Sequence, residues 1–134
     1  MLGKGVWISW TIRSSWIDLW DIEEAAAKGE PSSRLVLAVL TYGIRKYIGA
    51  YAAAMGGIDA LVFTAGVGEN SILVRSMVCE GLEFLGVSID QEKNKVRGKE
   101  ADIGTSGSRV RVLVVPTNEE LVIARDTKRL VAAD

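Results

Sequence analysis

Two short stretches carry the side chains whose types and spacing could do chemistry. The first, Gly66-Val67-Gly68-Glu69-Asn70, packs two glycines, a carboxylate and a carboxamide together. Glycines let the backbone turn tightly and come close to a ligand. The second, Thr117-Asn118-Glu119-Glu120, offers a hydroxyl, a carboxamide and two carboxylates. Glu119 suits either of two roles. An acid in the first turn of a helix is favourable with the helix dipole; a carboxylate can also hold a hydrated magnesium ion, which takes one or two carboxylates plus phosphate oxygens. Glu69 could be the same kind of group or a solvated loop acid. Asn70 could cap a helix or contact a nucleoside or phosphate. These residues point to a nucleotide-binding half-site, with a plain structural turn as the competing reading. The glycine pair lacks the third glycine of the dinucleotide fingerprint and the Lys-Ser/Thr of a P-loop, so a Rossmann-type dehydrogenase fits poorly.

The elements around these stretches must bring them together. Ala60 to Phe63 is apolar and too brief for a helix, which predicts a buried strand ending at the glycines. After Asn70, Leu73, Val74, Met77 and Val78 recur at helical spacing. Strand, glycine loop and helix N-terminus place free N–H groups against a polar ligand. Arg109 to Val115 reads as a second strong strand, apolar on both faces and ended by Pro116. Thr117-x-x-Glu120 is then a capping box opening the last helix. In open α/β sheets ligands gather at the carboxyl ends of strands, so both loops can line one cleft.

The remaining chain supplies scaffold. Asp21 to Lys28 predicts a short helix stopped by Gly29. Residues 34–55 predict the longest helix, with Leu37, Leu40, Ile44, Ile48 and Tyr51 on its inner face and Ser32 or Ser33 as its cap. Its Gly43, Gly49 and Ala50-to-Ala54 stretch leaves one side thin enough for another element to pack close. A short strand is expected around Val87 to Ile89, and Gln91 to Gly107 reads as surface turns. Residues 1–17 hold Trp7, Trp10 and Trp16 at a spacing that fits neither a clean strand nor a clean helix. Such an aromatic cluster could be core, an interface, or surface left bare by a partner. The order α, α, β, α, β, β, α predicts an α/β domain.

Composition narrows the chemistry. The 134 residues suffice for one domain with one core, and 49% hydrophobic with 25% charged residues is ordinary for a globular protein. A net charge of −1 gives no basic field for nucleic acid or an anionic membrane. The chain has no histidine, which removes Ser-His-Asp catalysis, a histidine general base and histidine-ligated zinc. Cys79 is the single cysteine, expected as a buried thiol in a reducing compartment. No apolar run approaches the roughly 18 residues of a membrane span, and the N-terminus lacks a signal-peptide layout. A cytoplasmic location is the expectation.

Val62-Phe-Thr-Ala-Gly-Val-Gly-Glu-Asn70 together with Val115-Pro-Thr-Asn-Glu-Glu-Leu-Val-Ile-Ala-Arg-Asp126 resembles the C-terminal part of the acetate kinase family. Asp18 to Ala27, Tyr47 to Gly57 and Gly81 to Gly86 are similar to the same family. The likeness runs in register over residues 18–128 and leaves residues 1–17 as an unmatched Trp-rich segment. It implies an incomplete ribonuclease-H-like α/β domain of the acetate and sugar kinase/heat-shock ATPase/actin superfamily, with residues 18–134 as the nucleotide-binding portion. The implied reaction is reversible, magnesium-dependent transfer of the γ-phosphoryl of ATP to acetate, giving acetyl phosphate and ADP. Homodimerisation through this domain is implied as well. By the same resemblance Gly66, Val67, Gly68, Glu69 and Asn70 match the adenosine loop, and Glu119 matches the magnesium-associated glutamate. Asp18, Leu19 and Trp20 fall on a nucleotide segment that reads Asp-x-Arg in the family.

Two departures follow from the resemblance. Trp20 replaces a charged fork with an indole, which is not a conservative exchange. The family enzyme is longer, and its phosphate loop, phosphoryl-clamping arginines, catalytic aspartate and phosphate-contacting histidine have no counterpart here. Phosphoryl transfer is catalysed mainly by positioning and charge stabilisation, so those groups are the catalyst. The expectation is therefore no catalytic residue in this chain and no activity from it alone. A propionate or butyrate kinase, or a non-catalytic dimerisation and nucleotide-binding module, are the alternatives.

Overall fold

The computed structural model describes residues 4–9 and 18–131, and their side chains except those of residues 5–9 and of several positions in the last helix. Four strands form one sheet in the order β1-β2-β4-β3: β1 (Gly5–Ser9), β2 (Ala60–Thr64), β3 (Ala101–Asp102) and β4 (Arg111–Val114). The first three in that order run parallel, with Leu61 opposite Val6 and Val112. The short β3 pairs antiparallel to β4 at the edge. Among the described residues five helices accompany them, α1 (Leu19–Ala27), α2 (Pro31–Met55), α3 (Ala65–Asn70), α4 (Ile72–Cys79) and, after the last strand, α5 (Glu119–Val131).

Parallel strands require crossovers, and α1–α2 and α3–α4 supply them. β2 sits between two neighbours, which explains its continuous apolar run: Leu61 to Thr64 are all buried. Leu61, Phe63, Val112 and Val114 share one sheet face with Leu37, Ile44 and Ile48 of α2 and Val74 and Val78 of α4. That layer is the core. Cys79 is buried in it as expected.

Several elements differ from the sequence expectation. Gly5 to Ser9 is a strand, fixed by its parallel pairing with β2 rather than by an alternation of its own. Trp10 and Trp16, part of the expected aromatic cluster, lie outside the described residues, as does the side chain of Trp7. The glycine loop is the six-residue α3, entered through Ala65 at φ 54 and Gly66 at φ 20, ψ −94. Residues 87–89 form only a single bridge, Ile89 to Gly104, after a 3-10 turn at Glu83–Leu85. Residues 91–107 are more than surface turns: Asn94 and Ile103 are fully buried and β3 lies among them. Helix α2 is capped by the Glu30 carboxylate, which accepts from Ser33 N–H at 3.0 Å, with Pro31 next in line. Tyr51 is 54% exposed rather than on the inner face of α2. The thin side at Gly43 and Gly49 has no described heavy atom within 4 Å of a Cβ placed there.

Candidate functional site

A cleft of about 300 Å³ opens where the carboxyl end of β2 meets the start of α1. It is lined by Asp18, Leu19, Trp20 and Glu23 from one side and Gly66, Val67, Asn70 and Ser71 from the other. Residues more than forty positions apart in sequence thus share one wall-to-wall space, at the end of a parallel sheet where ligands bind.

Each wall is held by identifiable bonds. Asp18 is the N-cap of α1, its Oδ1 accepting from Trp20 N–H at 3.3 Å. Glu23, one turn on, accepts from the Ser71 hydroxyl and so ties α1 to the start of α4. Ser71, not Asn70, caps α4: its Oγ accepts from Val74 N–H at 3.0 Å. Asn70 instead folds back within α3, Nδ2 donating to the Gly66 carbonyl at 2.9 Å. Gly68 lets α3 lie directly on β2; a Cβ there would meet the Phe63 carbonyl carbon at 3.3 Å.

Below the cleft, Arg75 is fully buried. Its guanidinium donates to Asn94 Oδ1 (2.7 Å), the Gly68 carbonyl (2.9 Å), and the Asn94 and Val96 carbonyls (2.8 and 2.7 Å). Burial first, and the nearby Arg97 charge second, pull Arg75 down to about 10, so it stays cationic near neutral pH. Those bonds fasten the 94–96 segment to the end of α3, and Gly98 N–H adds a bond to the Glu69 carbonyl at 3.1 Å.

Glu69 is not among the residues that line the cleft. Its Oε2 accepts from Thr117 N–H at 2.9 Å and so joins α3 to the β4–α5 connection. Thr117 therefore does not open a capping box: Asn118 Oδ1 accepts from Leu121 N–H at 3.1 Å and caps α5. Glu119 is the first residue of α5, and its side chain lies outside the described ones. Among the described residues no three His, Cys, Asp or Glu side chains gather into a metal site.

Of the expected binding residues, Asp18, Leu19, Trp20, Gly66, Val67 and Asn70 line the cleft, whereas Gly68 and Glu69 brace it from behind. Glu23, Ser71, Arg75 and Arg97 were missed. Glu23 carries a readable signal, lying one helical turn beyond Leu19 and Trp20. For Arg75 there was none, because a charge amid apolar helix positions reads as the solvent face. Trp20 is half exposed, with the Arg97 guanidinium carbon 4.1 Å from its ring centroid. Among the described residues, the charged groups that line the cleft are the acids Asp18 and Glu23.

Comparison with known proteins places this geometry. The sequence model of the acetokinase family matches residues 11–125. An acetate kinase of Thermotoga maritima is 65% identical over 116 residues, which are 85% of this chain and 29% of that enzyme. The crystal structure of Porphyromonas gingivalis acetate kinase superposes with a TM-score of 0.76 at 49% identity, over 85% of this chain and 29% of that one. A propionate kinase from Francisella tularensis superposes with a TM-score of 0.71 at 34% identity, over 80% of this chain and 27% of that one. This chain spans less than a third of the length of each.

Proposed function

The chain belongs to the acetokinase family, and on that premise we propose that residues 18–134 form the nucleotide-binding portion of an acetate kinase. Its fold is the α/β architecture of the ribonuclease-H-like, actin and sugar kinase superfamily. The proposed reaction is reversible, magnesium-dependent phosphoryl transfer from ATP to acetate, giving acetyl phosphate and ADP. The observation that carries the reading is the convergence of Asp18-Leu19-Trp20 and Gly66-Val67-Asn70 on one cleft.

The chemistry of that cleft suits the nucleoside rather than the phosphates. Its volume is at the small end for ligand pockets. Carboxylates of Asp18 and Glu23 accept hydroxyl and amino hydrogens well but repel phosphate oxygens. The phosphates would then extend toward the ends of β2 and β4, where Thr117 lies in the connection and Glu119 begins α5. Bound magnesium would offset phosphate charge, and Glu119 is the carboxylate proposed to hold it through its hydration shell. A single carboxylate is enough for such an ion. No catalytic residue is assigned to this chain, and by itself it is proposed to be inactive. Acetate is proposed over propionate as the acceptor because the two motifs, Val62 to Asn70 and Val115 to Asp126, match the acetate kinase pattern in detail.

Two further parts of the proposal concern setting. A homodimer is supported by the exposed face of α2, where Leu35, Val39, Tyr42 and Tyr47 are each more than half exposed. A cytoplasmic location is proposed from the family; among the described residues no helix is long and apolar enough to cross a membrane.

Titration of magnesium-ADP into the purified chain, followed by tryptophan fluorescence, tests the reading. A saturable change is expected, because Trp20 lines the cleft. Asn70→Ala, which removes both a lining group and the bond to Gly66, should weaken it about tenfold. A folded chain that gives no response to ADP or adenosine would overturn the proposal.

A further inference from the structure

Arg97 lies outside the cleft lining, yet several bonds fix it at the rim. The residues on either side of it are tied down: the Val96 carbonyl accepts from buried Arg75 at 2.7 Å, and Gly98 N–H donates to the Glu69 carbonyl at 3.1 Å. Gly98 itself, at φ +58, lies against Asn70, whose Oδ1 would be 3.6 Å from a Cβ there. Between these anchors the Arg97 guanidinium lies over the Trp20 ring, 4.1 Å from its centroid. Among the described residues no acceptor takes a hydrogen bond from it. A planar fork with five N–H donors is thus held beside a cleft whose charged lining residues are the acids Asp18 and Glu23.

We propose that Arg97 is a further ligand-binding residue of the cleft, clamped on Trp20 so that it stacks on and donates to a nucleoside. This rests on the nucleotide reading of the same cleft. Guanidinium planes stack on nucleobases and donate to their acceptor atoms. The guanidinium lies over the indole, and its N–H donors are the groups offered to a ligand. The nucleoside is favoured over the polyphosphate because Asp18 and Glu23 make this end of the cleft acidic. Anchoring at Val96 and Gly98 removes much of the ordering cost that a free surface arginine meets on binding.

Calorimetric titration of the chain with adenosine and, separately, with magnesium-ADP tests the assignment. Arg97→Ala is expected to weaken both ligands by a similar factor, about three- to tenfold. Arg97→Lys, which keeps the charge and loses the plane, should lose nearly as much. Arg97 is exposed, so the unfolding midpoint of either variant should match the parent chain. Unchanged affinities in Arg97→Ala would overturn the assignment and leave the nucleotide reading intact. A loss confined to ADP would overturn it too, by moving the contact to phosphate. Failure of the parent chain to bind either ligand overturns the nucleotide reading itself, and is seen before any variant is made.

Discussion

Arg75 concentrates more of the site's architecture than any residue that lines it. Its four bonds satisfy three backbone carbonyls and one carboxamide, buried at Gly68 and Asn94 and partly buried at Val96. Truncation to Ala leaves those acceptors unpaired, and a buried polar group without a partner is costly. Arg75→Ala should therefore lower stability by about 3 to 5 kcal/mol in urea unfolding. Arg75→Lys keeps the charge but cannot reach in four directions, so it should rescue only a minor part. One turn later, burial pushes the Cys79 thiol up to about 12, with Arg75 pulling weakly the other way. A group whose folded pKa is raised holds its proton longer in the native state. The stability it contributes is complete below its ordinary value of 9.0 and is lost as pH rises toward 12. At pH 8 the native thiol should resist a disulfide exchange reagent and react only as the chain unfolds; fast native labelling would contradict its burial.

Glycines in two elements show how different their roles are. Gly68 sits where α3 touches the Phe63 backbone, and that backbone belongs to the central strand of the sheet and has little room to move. Gly68→Ala should therefore cost about 1 to 2 kcal/mol through overpacking. In α2, by contrast, Gly43 and Gly49 face open space, and a helix-interior glycine is weaker than alanine. Gly43→Ala should raise the unfolding midpoint of the isolated chain, by about 0.5 to 1 kcal/mol of stability. Thermal unfolding of the two variants side by side would check both signs. The same contrast explains what the sequence could reveal. β2, β4, α1, α2 and α4 were legible because burial on one or both faces leaves a periodic apolar trace. β1 was not, since its identity depends on a partner strand some fifty residues away. The segment 91–107 read as surface because its buried anchor is Asn94, a polar residue satisfied by Arg75 and by the Ile72 carbonyl. In the cleft itself, the lining residues of α1 and α3 were found through family resemblance. Glycine spacing pointed only to one wall.

Helix α2 is asymmetric in what it buries. Its inner face, Leu37, Ile44, Ile48 and Ala52, is buried in the core. On the outer side lie Leu35, Val39, Tyr42 and Tyr47, with Val39 62% and Tyr47 58% exposed. Tyr47 stacks on Tyr51 with ring centroids 6.4 Å apart, and Lys46 lies 5.7 Å from the Tyr42 centroid. Tyrosines with one apolar face and one polar tip, next to glycines that permit close approach, are the composition of interface cores. A self-complementary helix face also suits two-fold pairing, the commonest oligomeric arrangement. The proposed homodimer through this face makes a sharp prediction. Sedimentation velocity should find the parent chain dimeric at micromolar concentration, and Val39→Glu with Tyr47→Glu monomeric. Both side chains point away from the core, so circular dichroism and the unfolding cooperativity of the monomer should persist. The cleft is built from α1 and α3 and includes no α2 residue, so adenosine affinity should be the same in dimer and monomer. A parent chain that sediments as a monomer would leave the apolar face of α2 to a different partner, and the remainder of a longer polypeptide would then be the first candidate to test by adding it in trans.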